Sequence, residues 1–151
     1  MADSVLTHPG FQRFLEQALE RGFAAATRDA VFMPFLDIAV SDASRTHLLV
    51  GNDMAQVADM AERLLERPDY HGADYYALVW REGLGDAAGG TETIVMEAAG
   101  TELPTPIRIS QRYRINGADG MAEPVGEPEI SVTPPHQLVR RTRATDIART
   151  G

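Results

Sequence analysis

Ile-Arg-Ile-Ser-Gln-Arg-Tyr-Arg-Ile, residues 107–115, alternates apolar with mostly polar side chains and decides how this chain is expected to fold. Two comparable segments precede it, Ala-Asp-Tyr-Tyr-Ala-Leu-Val-Trp-Arg at 73–81 and Thr-Glu-Thr-Ile-Val-Met-Glu-Ala at 91–98. Their β-branched and aromatic residues are typical of strands that lie on a half-buried pleated surface. Because connections rich in Gly and Pro separate the segments, the pattern predicts a three-stranded antiparallel meander.

Two helices and two further strands are predicted before the meander. Apolar residues spaced by three and four indicate one helix from near Pro9 to near Ala26, and another that follows Asp53 and ends before Pro68. Residues 31–40 and 46–50 have the composition of strands, and their short connection makes them antiparallel neighbours. Since Pro34 has no backbone N–H to donate, the first of these two strands is expected to lie at a sheet edge or to contain a bulge.

The predicted element order is therefore αββαβββ, which indicates an α+β fold. We expect one domain over residues 1–115, a five-stranded, largely antiparallel sheet with two helices packed on one face. Residues 116–136 are so rich in Gly and Pro that an irregular arm is expected there. With the short basic tail at 137–151, this C-terminal segment is expected to be partly disordered or docked on a neighbouring chain.

The charge of the chain is strongly acidic and unevenly distributed. Its 151 residues include 14 basic side chains, all arginine, and 22 acidic ones, for a net charge of -8. Residues 1–136 carry -11, whereas residues 137–151 carry +3. Arginine without lysine is typical of a GC-rich bacterial genome. The acidic body argues against binding of nucleic acid, which requires a concentrated positive surface.

Several classes of site are excluded or have no support in the sequence. The chain has no cysteine, so disulfides, thiolate zinc sites, iron–sulfur clusters and a cysteine nucleophile are excluded. No phosphate loop, dinucleotide fingerprint or nucleophile elbow occurs, and the histidines stand singly, so no cofactor or metal is expected. With no signal-peptide pattern and no long apolar run, we expect a cytoplasmic protein that does not contact a membrane.

An arginine row is the first candidate ligand site. Alternation along residues 107–115 places Arg108, Arg112 and Arg114 on one face of the strand, where guanidinium groups could bind a carboxylate or phosphate. The alternative is that acidic residues on a neighbouring strand, such as Glu92 and Glu97, pair with these arginines across the sheet.

His71 and Asp74 are the candidate acid–base residues. They lie in a Tyr-rich segment between the second helix and the meander, and a histidine beside a carboxylate can act as a general base near neutral pH. The alternative is that the tyrosines pack and the segment is structural. His47, inside an apolar strand, is expected to be a hydrogen-bonded structural residue, and Asp37 is expected to need solvent or a hydrogen-bond donor.

Two classes of function remain open from the sequence. The first is a non-catalytic protein-interaction or self-associating module, with a protein partner or a second copy as a homodimer. The alternative is a small-molecule or anion-binding protein, or an enzyme, that uses Arg108, Arg112 and Arg114 with His71 and Asp74 as acid–base residues.

Overall fold

The computed structural model describes residues 9–26, 32–41, 43–70, 73–83, 92–100 and 107–131. The helices and strands are α1 (Pro9–Ala25), β1 (Phe35–Val40), β2 (Ala43–Leu48), α2 (Met54–Leu65), a 3₁₀ turn (Pro68–Tyr70), β3 (Tyr75–Gly83), β4 (Glu92–Gly100), β5 (Ile107–Ile115), β6 (Ala122–Pro124) and β7 (Glu129–Ser131). The predicted order αββαβββ is confirmed, and two short strands follow it. Asn52 and Asp53 were both candidates for the N-cap of α2, and the structure shows Asp53, whose side chain accepts a hydrogen bond from the N–H of Gln56 at 2.9 Å.

All the strands belong to one antiparallel sheet. Its order is β2-β1-β3-β4-β5-β6, with β7 also paired to β5. The meander is confirmed, since β4 pairs with both β3 and β5, and the predicted span of β5 coincides with the observed one. The predicted antiparallel pairing of the first two strands is also confirmed.

The position of β1 differs from the expectation for a strand that contains proline. β1 lies between β2 and β3 and is not an edge strand. Pro34 precedes the strand, and its carbonyl accepts a hydrogen bond from the N–H of Leu49 at 2.8 Å. The missing N–H of Pro34 therefore removes no hydrogen bond from within β1, and the expected edge position or bulge was wrong.

The two helices pack on opposite faces of the sheet, so the expectation of helices on one face was wrong. Side chains of α1 join Phe35, Val79 and Ile94 in one buried cluster, on what we call the α1 face. Side chains of α2 join Leu36, Trp80 and other strand residues that point to the opposite side of the sheet. These form a second buried cluster, on what we call the α2 face. The central strands have apolar residues at consecutive positions, and such a run indicates burial on both faces.

The segment after β5 extends the sheet instead of forming the expected irregular arm. β6 pairs with the C-terminal half of β5 and β7 with its N-terminal half. The carbonyl of Arg112 accepts a hydrogen bond from the N–H of Val125, and the N–H of Asn116 donates one to the carbonyl of Met121. Because Pro124 is adjacent to the bonded residue Val125, its ring nitrogen is directed away from β5. A proline is tolerated at such an edge position. The tail at 137–151 lies outside the described residues.

Within the described part of the chain, no helix has the length and apolar character needed to cross a membrane.

Candidate interaction site at the open edge of the sheet

The two edges of the sheet differ in how their backbone groups are covered. At one edge, β6 and β7 both pair with β5. At the other edge, β2 pairs with β1 and with no other described strand. Five of the six residues of β2 are exposed. β6 and β7 also have unpaired outer sides, but each is three residues long, whereas β2 has six. β2 is therefore the longest open edge strand among the described strands, and an open edge can pair with a further strand.

The register of β2 identifies which of its peptide groups are available. The N–H of Leu49 donates a hydrogen bond to the carbonyl of Pro34, the residue before β1, so Leu49 bonds towards β1. Alternate residues of an antiparallel strand direct their hydrogen bonds to opposite sides. Arg45 and His47 therefore bond towards β1. The N–H and C=O groups that point away from β1 are those of Ser44, Thr46 and Leu48. Leu48 is also 62% exposed and Val50 is 67% exposed, an unusual pair of apolar side chains beside an open edge.

A buried carboxylate on β1 holds the centre of β2 through a hydrogen bond. Asp37, on β1, is fully buried, as 0% of its surface is exposed. Its Oδ2 accepts a hydrogen bond from Nη1 of Arg21 at 2.6 Å, and its Oδ1 accepts one from Oγ1 of Thr46 at 2.6 Å. The expectation that Asp37 needs a donor is confirmed. Thr46 is held by this carboxylate, so the edge strand presents its outward peptide groups from a fixed position.

On the α2 face, His47 and Tyr70 connect the edge strand to the 3₁₀ turn. Nε2 of His47 and the hydroxyl of Tyr70 are 2.6 Å apart, and the two rings meet edge to face. The expected structural role of His47 is thus confirmed. Burial lowers the pKa of His47 below 6.5, and the positive charges of Arg67 and Arg45 lower it further. The neutral form of the imidazole is therefore favoured, and the ring lies in a region of positive potential.

Three open grooves border β2. The Tyr70 groove, on the α2 face, has a volume of about 340 Å³ and includes Arg45, Asp69 and Tyr70. The His47 groove, between β2 and α2, has a volume of about 310 Å³ and is lined by His47, Leu48, Leu49, Met60, Arg63, Leu64 and Arg67. The Arg13 groove, on the α1 face, has a volume of about 340 Å³ and includes Gly10, Arg13, Phe14, Gln17, Ser44 and Tyr75.

Asp74 has a structural partner at the β1–β2 turn. Its carboxylate accepts a hydrogen bond from the N–H of Ser41 at 2.9 Å, and its own N–H donates to Ala39 at 2.8 Å. Ser41 has a φ of 55°, a left-handed conformation that needs support in a residue other than glycine. Asp74 therefore stabilises the turn that leads into β2. His71, the other acid–base candidate, lies outside the described residues.

The arginine row shares one face of β5, as predicted, but its members have different surroundings. Arg108 is half-buried, and its guanidinium lies 5.5 Å from the ring centre of Trp80 on the α2 face. Arg114 forms an ion pair with Glu123 of β6, at 3.7 Å. Arg112 is exposed and has no ion pair among the described residues. These three side chains do not converge on one ligand position.

The acidic residues considered as partners of the row are divided between the two faces. Glu97 is directly opposite Arg108 in the register. Glu92 is opposite Tyr113 on the α1 face, accepts a hydrogen bond from the Tyr113 hydroxyl at 2.7 Å and pairs with Arg81 at 3.4 Å. Burial, followed by the hydrogen bond to Glu92, raises the pKa of Tyr113 to about 12.

Asp74 and Arg112, at the middle of the arginine row, are far apart. Arg112 of β5 is paired in register with Thr93 of β4, and Thr93 with Glu82 of β3. Glu82 is eight residues along the chain from Asp74, which directly precedes β3. At the rise of an extended strand, eight residues span roughly 26 Å. The structure therefore does not bring Asp74 and Arg112 together in one site.

The sequence interpretation missed Thr46 as a donor to Asp37 and missed the grouping of Arg45, Arg63 and Arg67 near His47. Arg63 and Arg67 lie four residues apart on α2, a spacing that places them on one side of the helix. That signal was present in the sequence, but the neighbouring strand could not be identified without the fold.

Comparison of the chain with protein-family models, with curated proteins and with solved structures yields no match. Among the described residues, no group of three or more His, Asp or Glu side chains is arranged to hold a metal ion. The candidate site therefore depends on the geometry of the β2 edge and its grooves.

Proposed function

We propose that this protein is a non-catalytic, self-associating module in which two copies pair antiparallel through β2. The observation that carries the proposal is the open edge, with three outward peptide groups and exposed Leu48 beside them. Pairing of two identical edges satisfies backbone donors and acceptors on both chains at once. The resulting dimer would have one continuous sheet across its two-fold axis.

The pattern of outward groups supports a two-fold axis at Thr46. In that register Thr46 is directly opposite Thr46 of the second chain, and Ser44 is opposite Leu48 of the second chain. Ser44 lines the Arg13 groove, where Phe14 and Tyr75 provide apolar wall. An exposed Leu48 would thus lie beside the groove of the other copy, and the two-fold axis would repeat this contact.

The side chains on the α2 face favour the same register over the one with its axis at Arg45. With the axis at Thr46, Arg45 lies across from His47 of the second copy, whose neutral form is favoured because its pKa is lowered. Moving the two-fold axis from Thr46 to Arg45 would place Arg45 opposite Arg45 of the second copy. Like charges directly opposite each other on paired strands are destabilising.

The mass of the full-length protein in solution tests the proposal. We expect light scattering across micromolar to submillimolar concentrations to give twice the 16.5 kDa mass of one chain. Ser44→Pro removes an outward N–H, and Leu48→Lys places a charge at the edge, so both variants should be monomeric. Met121→Lys is the matched control, since Met121 is 50% exposed but is remote from β2 in the sheet order, and it should remain dimeric.

Each other result contradicts the proposal. A wild-type protein that stays monomeric across the range would exclude self-association through β2. A dimer that persists in both edge variants, with circular dichroism unchanged, would assign the contact to another surface. A Met121→Lys variant that is monomeric would also assign the contact to another surface.

A bacterial and cytoplasmic setting belongs to this proposal. The bacterial assignment is supported by the use of arginine for all 14 basic residues. Fractionation of cells that produce the full-length protein tests the location, and recovery outside the cytoplasmic fraction would contradict it.

A further inference from the structure

The His47 groove combines an apolar floor with a positive rim. Leu49, only 1% exposed, lies in the floor with the half-buried Met60 and Leu64. Arg63 and Arg67 form part of the lining and are both exposed. No acidic side chain lines the groove, although the chain as a whole carries a net charge of -8.

Arg63 and Arg67 belong to none of the ion pairs Arg21–Asp37, Arg81–Glu92 and Arg114–Glu123. Residues four apart on a helix are neighbours, so both guanidinium groups can approach one anion. The lowered pKa of His47 is consistent with this positive potential, since Arg67 is one of its causes. From these features we propose that the His47 groove binds an organic anion with a carboxylate on an apolar chain.

The size of the groove matches a small molecule. A volume of about 310 Å³ is at the lower end of the range for small-molecule sites. At roughly 30 Å³ for each heavy atom, the groove holds about ten such atoms. A medium-chain carboxylate has this size, with its chain on Leu49 and Met60 and its head group at Arg63 and Arg67.

Two features near the groove oppose an anion: the C-terminal end of α2, and the carboxylates of Asp59 and Glu66, which are four and three residues from Arg63. A helix C-terminus carries a partial charge of about -0.5, whereas the two guanidinium groups together carry about +2. Glu66 follows α2 as its C-cap, but its carboxylate is not part of the groove lining. The arginine charges therefore dominate the groove. All the lining residues belong to β2, α2 and the residues that follow them in a single chain, so the groove is present in one copy without a second. The proposed dimer would place Arg45 of the second copy near His47 and so add a further positive charge beside the groove.

Nuclear magnetic resonance of the full-length protein with octanoate tests the inference. An anion beside His47 favours the protonated imidazole, so octanoate should raise the pKa of His47. His47→Gln identifies the resonance. Acetate, which lacks the chain, and 1-octanol, which lacks the charge, are the matched ligands, and each should bind at least about tenfold more weakly than octanoate.

Variants of the rim separate specific binding from general attraction to arginine. Arg63→Gln and Arg67→Gln should each weaken octanoate binding about tenfold, because each removes a charge-assisted hydrogen bond. Arg112→Gln is the control, since Arg112 is an exposed arginine on β5, and it should bind octanoate as the wild type does. The inference is overturned if octanoate leaves the pKa of His47 unchanged, if acetate or 1-octanol binds equally well, or if Arg112→Gln weakens binding as much as the groove variants.

Discussion

Asp37 is the residue on which the position of the edge strand depends most directly. Its carboxylate is fully buried and receives hydrogen bonds from α1, through Arg21, and from β2, through Thr46. Burying a charge is costly unless that charge is paired and hydrogen-bonded. The two donors therefore link three elements through one side chain. Removal of a donor leaves an incompletely compensated charge inside the protein.

Substitution of Arg21 tests this role. Arg21→Met should lower the free energy of unfolding by about 2 kcal/mol, less than for a fully buried pair because the Arg21 side chain is 40% exposed. The double variant Arg21→Met/Asp37→Leu should recover most of that loss, since it removes the buried charge as well. Chemical denaturation at neutral pH measures both values. If the double variant loses as much free energy of unfolding as Arg21→Met and Asp37→Leu lose separately when added, Arg21 and Asp37 act independently.

The pairing direction of β2 is a property of the whole element, and proline substitutions at adjacent positions test it. Arg45 directs its N–H towards β1, whereas Ser44 directs its N–H to solvent. Arg45→Pro should therefore lower the free energy of unfolding by about 3 kcal/mol, and Ser44→Pro should cost the monomer much less. Both side chains are exposed, so the difference reports the backbone. Equal losses in thermal or chemical denaturation would contradict the derived register.

Local patterns predicted the elements better than they predicted how the elements pack. Alternation over residues 107–115 predicted β5 and the faces of its arginines, because side-chain direction in a strand follows from sequence position alone. The faces covered by α1 and α2 were not predicted, because an apolar stripe identifies the buried side of a helix and not its partner. β6 and β7 were missed because three-residue strands depend on their neighbour β5 more than on their own composition. The grouping of His47 with Arg67 required the same non-local information.

At the scale of the whole molecule, one sheet separates two buried clusters. α1 covers residues such as Val79 on one face, and α2 covers residues such as Trp80 on the other. Adjacent residues of β3 thus belong to different clusters. Loss of packing on either face should disturb the same strands, so the clusters are expected to unfold together as one cooperative unit.

Trp80, the one tryptophan of the chain, allows this coupling to be measured. Phe14, on α1, is 5% exposed and belongs to the cluster on the opposite face from Trp80. Phe14→Ala should lower the free energy of unfolding by about 3–4 kcal/mol through loss of buried apolar area and the resulting cavity. If the sheet couples the faces, the denaturation midpoint from Trp80 fluorescence should fall as far as the midpoint from far-ultraviolet circular dichroism. Val57→Ala, on the Trp80 side, is the matched control and should shift both midpoints together. A Phe14→Ala variant in which the fluorescence midpoint stays at its wild-type value would mean that the two faces unfold separately.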